Sequence, residues 1–419
     1  MMQKYDSYKD SGVQWLGEIP SHWEVKRTKY VWQETDCRSE YGSEQLLSVS
    51  QYDGVREAQS DSRSESLKGY KVVKQDELVI NIMLAWLGGL GVSNYEGIVS
   101  PAYCVYKLHD AQNPRFLHYL YRTPMYLGEF ARHSTGIVPS RWRMYTDDFG
   151  EVLTLLPPIE EQNAMVAYLD EQTAKIDTAI AQQQKMIDLL NERKQIIINR
   201  AVTKGLNPNV KMKDSGVEWI GKVPEGWEIK KMKFICTVND EVLPESSGDF
   251  KIKYIEIGDV DFNNGIMGSS EYSFKEAPSR ARRITRKGDV IISTVRTYLK
   301  AIAKIEEDGY IVSTGFAVLR GHNIMSDFLA YSLMTDSFVM RVLANSVGVS
   351  YPAITAADLM NLEIAIPPIK TQGEIIYYLQ KNTKDINSAI KTAEKQIVLL
   401  QERKQIIIND VVTGKVKVC

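Results

Sequence analysis

The sequence predicts a mixed α+β protein in which two α/β domains alternate with two long helices that form an antiparallel coiled coil. Two observations lead to this prediction. The segment Lys9–Trp15 recurs 204 residues later as Lys213–Trp219, and residues 156–205 match residues 366–415 at 24 of 50 positions. The stretches between these repeats have diverged widely. A duplicated frame around two divergent middles predicts a pseudo-twofold symmetric molecule.

Each half begins with the repeated segment Lys9–Trp15 or Lys213–Trp219, which we call the tryptophan motif. A proline and a second tryptophan follow in both copies, with the second tryptophan at Trp23 and at Trp227. Gly216–Lys222 has the spacing of a phosphate-binding loop, but Val223 stands where a Ser or Thr would hold Mg²⁺. We therefore interpret the motif as structural.

The middle of each half has the pattern of an α/β domain, because short β-branched runs are bounded by Gly, Asp and Asn turns. A shorter helical stretch follows near residues 114–131 and 326–344, and then a loop centred on Gly136 or Gly348. The same order of elements with different side chains predicts one fold with two specificities. The predicted strands are Leu46–Val49, Glu77–Ile80 and Ile98–Val105 in the first domain, and Tyr254–Ile257, Asp289–Ser293 and Ile311–Val318 in the second.

A long helix closes each half, directly after a double proline that cannot lie inside a helix. Apolar positions alternate at spacings of 3 and 4 over several heptads, which is the pattern of a coiled-coil seam. A helix of about 40 residues is roughly 60 Å long. The predicted seam positions are Val166, Leu169, Thr173, Ile176, Ile180, Gln183, Ile187, Leu190, Lys194, Ile197 and Ala201, and Ile376, Leu379, Thr383, Ile386, Ile390, Ala393, Ile397, Leu400, Lys404, Ile407 and Val411.

This organisation divides the chain into four predicted segments. Residues 1–157 and 208–367 form the two α/β domains, and residues 158–207 and 368–419 form the two helical regions. A generic dimerisation coiled coil between two chains is the alternative. The duplication argues against it, since one chain already carries both helices.

The repeated helices share more than their seam. Charged residues mostly outside the apolar stripe are identical in both copies, which indicates a second surface that another protein contacts. The predicted docking residues are Glu192, Arg193 and Lys194, with their repeats Glu402, Arg403 and Lys404. An intrachain salt-bridge role is the alternative for each of them.

Basic residues cluster in both middles, and arginine beside aromatic and small polar residues is the composition of a surface that contacts phosphates and base edges. A solvated surface is the alternative for one cluster alone. The presence of two such clusters in two related domains favours double-stranded DNA as the ligand. The predicted DNA-binding residues are Arg132, Arg141, Trp142 and Arg143 in the first domain, and Arg280, Arg282, Arg283, Arg286, Arg296, Tyr298, Lys300 and Tyr351 in the second.

Signals for other functions are weak. The four cysteines lack a Cys-x-x-Cys pair and the five histidines lack metal or catalytic spacing, so we expect no metal, no cofactor and no catalytic residue. Asp259–Gly265 resembles a calcium loop but lacks the glutamate at its twelfth position, and a turn between strands is the better interpretation. With no signal peptide and no apolar run long enough for a membrane span, we expect a cytoplasmic protein.

These motifs together resemble the specificity subunits of type I restriction–modification enzymes over the whole chain. The resemblance is carried by the opening motifs at 10–23 and 214–227, the Pro-Pro-Ile starts at 157–159 and 367–369, and the repeated Glu-Arg-Lys-Gln-Ile-Ile-Ile-Asn segments. It implies a non-catalytic subunit whose two domains each read half of a split DNA site. It also implies that the helices set the gap between the half-sites and bind two methyltransferase subunits, with restriction subunits in the full complex.

Two other functions stand as alternatives. A self-contained DNA methyltransferase or nuclease would need a cofactor loop or an acidic cluster, and the sequence has neither. A scaffold with incidental basic patches would not bind DNA of random sequence. If the helices act as a ruler, four residues inserted into either one should lengthen the recognised spacer by one or two base pairs, about 3.4 Å each.

Overall fold

The computed structural model describes residues 3–58, 66–138 and 141–418. It separates into two compact units, of which unit 1 comprises residues 1–183 and 395–419 and unit 2 comprises residues 184–394. Each unit contains one α/β domain with a segment of each long helix. The predicted mixed fold with two long helices is confirmed.

The elements of unit 1 precede and follow those of unit 2 along the chain. Its strands are β1 (Tyr8–Asp10), β2 (Glu18–Pro20), β3 (Glu24–Arg27), β4 (Trp32–Thr35), β5 (Leu47–Ser50), β6 (Gly54–Glu57), β7 (Lys71–Val73), β8 (Leu78–Asn81), β9 (Leu90–Val92), β10 (Gly97–Val99), β11 (Tyr103–Leu108) and β12 (Leu153–Leu156). Its helices are α1 (Pro114–Tyr121), α2 (Pro124–Arg132) and α3 (Thr146–Glu151), and the long helix α4 (Ile159–Lys204) begins in it.

Unit 2 repeats this order with additional strands. Its strands are β13 (Met212–Asp214), β14 (Lys222–Pro224), β15 (Glu228–Lys231), β16 (Cys236–Val238), β17 (Lys251–Ile255), β18 (Val260–Asp261), β19 (Gly265–Ile266), β20 (Ser270–Ser273), β21 (Ala281–Ile284), β22 (Val290–Ser293), β23 (Ile302–Lys304), β24 (Tyr310–Ser313), β25 (Phe316–Gly321) and β26 (Glu363–Ile366). Its helices are α5 (Ser326–Leu333), α6 (Asp336–Ala344) and α7 (Ala356–Met360), and the second long helix is α8 (Ile369–Val412).

Each unit contains its own four-stranded antiparallel sheet, and the two sheets have the same topology. Its strand order is β4-β11-β8-β9 in unit 1 and β16-β25-β22-β23 in unit 2. A two-stranded sheet pairs the start of each domain with its end, as β3 with β12 and β15 with β26. The units differ mainly beside this core, where unit 2 builds a second four-stranded sheet in which β17 and β24 run parallel. The prediction of one fold with two different working surfaces agrees with this arrangement.

Several predicted elements are divided in the structure. The run Ile98–Val105 is two strands, β10 and β11, separated by a turn, and Ile311–Val318 is likewise β24 and β25. The helical stretches near 114–131 and 326–344 are helix pairs, because Thr123 and Thr335 cap a second helix through their side chains. The calcium-like segment is the β18–β19 hairpin, and the phosphate-loop-like segment forms the loop of the β13–β14 hairpin.

The seam of the long helices is buried as the 3–4 spacing predicts. In unit 1, Leu169 near the start of α4 joins the same apolar core as Ile408 and Val411 near the end of α8. In unit 2, Ile198 near the end of α4 packs with Leu379 near the start of α8. The start of one helix therefore lies against the end of the other within each unit, which is the antiparallel arrangement.

A buried glutamine fixes the start of each long helix, and it is one of the repeated residues. The side chain of Gln162 donates to the carbonyl of Pro157 at 2.8 Å and accepts from the amide of Asn113, the N-cap of α1. Gln372 donates to the carbonyl of Pro367 at 2.9 Å and accepts from the amide that precedes α5. The Pro-Pro-Ile repeat therefore joins helix to domain by the same contacts in both units.

The tryptophan motif packs against the end of a long helix in each unit. Trp23 is fully buried beside Gly414, which follows α8, and Trp227 lies beside Gly205, which follows α4. Both glycines have a positive φ, as expected for residues that end a helix. The motif is thus structural, as its sequence predicted.

Candidate nucleic-acid interface

Each domain presents a platform made of two loops, which we call the two-loop platform. In unit 2 it consists of the β22–β23 loop (residues 294–301) and the Gly348 loop (residues 346–353). The amide of Ile354 donates to the carbonyl of Thr294 at 2.9 Å, and the hydroxyls of Thr297 and Ser346 lie 2.9 Å apart. These bonds hold the two loops side by side.

Unit 1 has the equivalent platform, in which the β8–β9 loop (residues 82–89) lies beside the Gly136 loop (residues 134–143). The amide of Met144 donates to the carbonyl of Ile82 at 3.0 Å, at the place of the Ile354–Thr294 bond in unit 2. The rings of Trp86 and Trp142 meet edge to face with centroids 5.3 Å apart. Residues 139 and 140 of the predicted loop lie outside the described residues.

Unit 2 brings three of the predicted residues together at its platform. Arg280, Arg296 and Tyr351 line one open cavity of about 510 Å³. The guanidinium carbon of Arg296 lies 5.1 Å from the centroid of the Tyr351 ring, within range of a cation–π contact. Tyr298 is exposed on the same β22–β23 loop. The cavity is lined by Arg280, Val295, Arg296, Thr314, Gly315 and Tyr351, and we call it the arginine cavity.

Of the other four predicted basic residues of unit 2, three contact a carboxylate or an aromatic ring of the protein and the fourth, Arg283, is partly buried. Arg286 lies 2.7 Å from a carboxylate oxygen of Glu241, which holds the pKa of that carboxyl below its usual value. Arg282 lies over the ring of Phe274, and Lys300 over another ring. Nε of Arg283 is buried. These four stay DNA-binding predictions, although their surroundings favour a structural role.

The predicted basic residues of unit 1 also fall into two groups, one bonded to an acid of the protein and one on the platform. Arg132 ends α2 and makes two hydrogen bonds of 2.6 and 2.9 Å to the buried carboxylate of Glu129, which holds the Glu129 pKa below its usual value. Arg141 is exposed, and Arg143 is half-buried and donates to the carbonyl of Arg141. Arg141 and Arg143 therefore lie on the platform, whereas Arg132 forms an ion pair with Glu129.

Sequence reasoning missed part of both platforms. In unit 1 the β8–β9 loop exposes Met83, Leu84 and Leu87, and the Gly136 loop exposes Ile137. In unit 2 the Gly348 loop exposes Val347 and Val349. An apolar run that ends in Gly88 and Gly89 was the available signal, because exposed apolar residues on a loop indicate a contact surface.

On the long helices, the structure separates the predicted docking residues into two groups. Glu192, Arg193, Glu402 and Arg403 are exposed. Lys194 is not on the surface that its sequence context predicted: it is 9% exposed and donates to the carbonyl of Asn263 at 2.8 Å. Burial lowers the pKa of this lysine. Its position in the 3–4 seam turns it toward the recognition domain of unit 2.

Each unit also exposes an apolar pair beside these charges. Leu189 and Ile196 are 55% and 59% exposed on α4, and their repeats Leu399 and Ile406 are 52% and 59% exposed on α8. Residues seven apart lie on the same face of a helix, together with the charged pair between them. We call each set of four the outer stripe: Leu189, Glu192, Arg193 and Ile196 in unit 2, and Leu399, Glu402, Arg403 and Ile406 in unit 1.

Two further features bear on function. Across residues 3–58, 66–138 and 141–418, no helix has the length and apolar character needed to cross a membrane. Over the same residues, no group of three or more His, Cys, Asp or Glu side chains could hold a metal ion.

Comparison with known proteins points to one family. Residues 224–397 match the profile of the type I restriction modification DNA specificity domain. The putative type I restriction enzyme MjaX specificity subunit of Methanocaldococcus jannaschii is 24% identical, with 96% of each chain aligned. The type I restriction enzyme MjaVIII specificity subunit of the same organism is 24% identical over 64% of this chain, and the match spans 63% of that relative's length.

A solved structure supports the fold. A chain from a structure that addresses complex assembly and conformational transition of the type I R-M system superposes with a TM-score of 0.63. The match covers 94% of this chain and 98% of that chain at 17% identity. The two proteins therefore share their fold.

Proposed function

The chain belongs to the specificity subunits of type I restriction–modification systems, and we propose that its two recognition domains, within residues 1–157 and 208–367, each read one half of a bipartite DNA site. The observation that carries this proposal is the duplicated two-loop platform. Both copies have the same frame and carry arginines and exposed aliphatic residues, but unit 2 places two arginines around a cavity beside Tyr351, whereas unit 1 has the paired rings of Trp86 and Trp142. Two recognition surfaces of different chemistry on the same domain fold are suited to a DNA site whose two halves differ in sequence.

The electrostatics of the platforms support DNA as the ligand. Arg280 and Arg296 are exposed and make no ion pair with a carboxylate in the part of the chain that the structure describes. Arg132 and Arg286, by contrast, are bonded to Glu129 and Glu241. An exposed arginine without a neighbouring acid keeps its full charge for a phosphate or a base edge.

The long helices serve two purposes in this proposal. As a ruler, they set the number of base pairs between the half-sites, because helix length converts to distance at about 1.5 Å per residue. As a dock, each outer stripe binds one methyltransferase subunit, so that two such subunits bind per chain. An exposed leucine and isoleucine on either side of a Glu-Arg pair combine apolar contact area with charged groups on one helix face, which suits a protein partner.

We propose that the chain itself is non-catalytic and acts in the cytoplasm, where its DNA and partner subunits are. Restriction subunits would join the same complex. The chemistry of methyl transfer would then belong to the docked subunits, while this chain selects the sequence on which they act.

The experiment that tests the proposal is selection from a pool of random-sequence duplex DNA by the full chain assembled with its methyltransferase subunits. We expect enrichment of two short defined sequences separated by a gap of fixed length and undefined sequence. Enrichment of one continuous sequence, or of none, would contradict the proposal. Methyl transfer by the purified chain alone would contradict its non-catalytic part.

A further inference from the structure

The arginine cavity has the composition of a site for one base edge. Two arginines, Arg280 and Arg296, line an open space of about 510 Å³. The rest of its lining is small or apolar apart from Tyr351. Space is tight at Gly315, because a Cβ there would lie 2.9 Å from the side chain of Ile257 and 3.1 Å from that of Val295, and these side chains would have to shift. The cavity thus offers donors without acidic acceptors.

The backbone that carries Arg296 is held in an unusual conformation. Arg296 and Lys300 both have left-handed dihedral angles, with φ of 50° and 52°, at the two ends of a single 3₁₀ turn. Non-glycine residues in this region are strained, and such residues concentrate at functional sites. The turn is tied down by a hydrogen bond from the Thr297 amide to the carbonyl of Pro352. The contact of Tyr351 with the guanidinium adds a second restraint on Arg296.

This restraint distinguishes a base contact from a phosphate contact. A phosphate needs only positive charge and tolerates a mobile side chain, whereas a base edge needs a planar donor pair in a fixed place. Guanine presents two acceptors, O6 and N7, in the major groove, and arginine is their commonest bidentate partner. In unit 2, Arg296 lies two residues after Thr294, whose carbonyl accepts the hydrogen bond that joins the two loops. In unit 1 the equivalent carbonyl is that of Ile82, and the residue two places after it is Leu84, whose side chain has no hydrogen-bond donor.

We propose that Arg296 reads a guanine in the half-site of the second recognition domain, with Tyr351 as its positioning residue and Arg280 as a second donor in the same cavity. This inference rests on the proposed function and adds the identity of one base. It applies to unit 2 alone, since unit 1 has Leu84 at the matching place.

The test is selection of sites by the assembled complex with five single variants. Arg296→Ala and Arg296→Lys remove the planar donor pair, and Lys keeps the charge. Arg341→Ala is the matched control, because Arg341 is an exposed arginine of α6 that lies outside the cavity and outside the predicted DNA-binding residues. Tyr351→Ala removes the positioning ring, and a fifth variant, Tyr351→Phe, restores it.

We expect wild-type protein to select a G·C pair at one position of the second half-site. Arg296→Ala and Arg296→Lys should reduce that preference by about tenfold or more and leave the other positions and the first half-site unchanged. Tyr351→Ala should reduce the same preference, Tyr351→Phe should keep it, and the control should match wild type. Replacing that guanine by 7-deazaguanine should weaken binding by wild type and cause no further loss with Arg296→Ala.

The outcomes separate the inference from the function on which it rests. If wild type selects no bipartite site, the proposed function fails. If wild type selects a bipartite site and Arg296→Ala leaves every position unchanged, only the inference is overturned. A uniform loss of affinity that Arg296→Lys rescues would also overturn it, because that result identifies a phosphate contact.

Discussion

Lys404 near the end of α8 bonds both carboxylate oxygens of Asp177 on α4, with Nζ 2.7 and 2.8 Å from them. In unit 2 the repeat of Lys404 is Lys194, and the repeat of Asp177 is Asn387. Lys194 and Asn387 line one cavity, but Lys194 donates to a backbone carbonyl instead. The repeated lysine therefore bonds to a carboxylate in unit 1 and to an uncharged backbone carbonyl in unit 2.

Asn387→Asp is expected to stabilise unit 2. The new carboxylate supplies the anion that Asp177 supplies in unit 1, and the gain should be about 1 kcal/mol, since partly exposed ion pairs contribute little. Thermal unfolding of the full chain measures it. Asn382→Asp introduces the same charge on α8 outside this cavity and is the control. Equal effects of the two variants would show that charge alone, and not the pairing with Lys194, is responsible.

Acid is expected to weaken unit 1 through His118. Burial lowers the pKa of this imidazole to about 3, and its Nδ1 accepts a hydrogen bond from the amide of Val92 at 3.1 Å. In the unfolded chain the group takes a proton below about pH 6.5 that the folded protein excludes. The contribution of His118 to the free energy of unfolding is therefore complete above pH 6.5. It declines as the pH falls toward 3, by at most about 1.4 kcal/mol per pH unit.

Denaturant unfolding between pH 7 and pH 4 measures this dependence. His118→Asn keeps an acceptor near the Val92 amide and removes the titrating group, so the stability of this variant should vary less with pH. His109→Gln changes an exposed histidine and should retain the wild-type slope. An unchanged slope in His118→Asn would contradict the assignment.

The outer stripes are expected to determine how many methyltransferase subunits bind. Leu189→Lys with Ile196→Lys should abolish one docking surface and leave its repeat on α8 intact. Native mass spectrometry of the assembled complex should then find one methyltransferase subunit per chain in place of two. The paired substitutions Leu399→Lys and Ile406→Lys should have the same effect, and all four together should leave none.

A substitution elsewhere on α4 controls for loss of the fold. Lys175→Glu changes the charge of an exposed residue that pairs with Glu171, and two subunits should still bind. Retention of both subunits by the Leu189 and Ile196 variant would exclude this surface as the dock.

Periodicity made the helices predictable from the sequence. Residues of the seam such as Leu169, Ile187 and Leu379 are buried at the places that the 3–4 spacing assigns. The docking prediction misplaced Lys194, because the repeat of the charged segment indicated a surface position, whereas the 3–4 spacing assigns this lysine to the seam, where it is buried. Strand boundaries were less accessible, because the turn that divides β24 from β25 lies inside a run of apolar residues.

The arginine cavity could be predicted only in part. A cluster of basic residues is visible in the sequence, but its members differ in their partners, and the acid that occupies Arg286 is 45 positions away at Glu241. Such pairing depends on the sheet that brings distant strands together. Trp86 was missed for the same reason, because its contact with Trp142 requires the two loops to meet.

The central claim is that one chain reads two half-sites and that its long helices set the gap between them. The most direct measurement is the spacer length selected by a complex with four residues inserted into both α4 and α8, after Gln183 and after Glu394. Matched insertions keep the seam paired and add about 6 Å. We expect both half-sites to be unchanged and the spacer to lengthen by one or two base pairs, whereas an unchanged spacer would contradict the account.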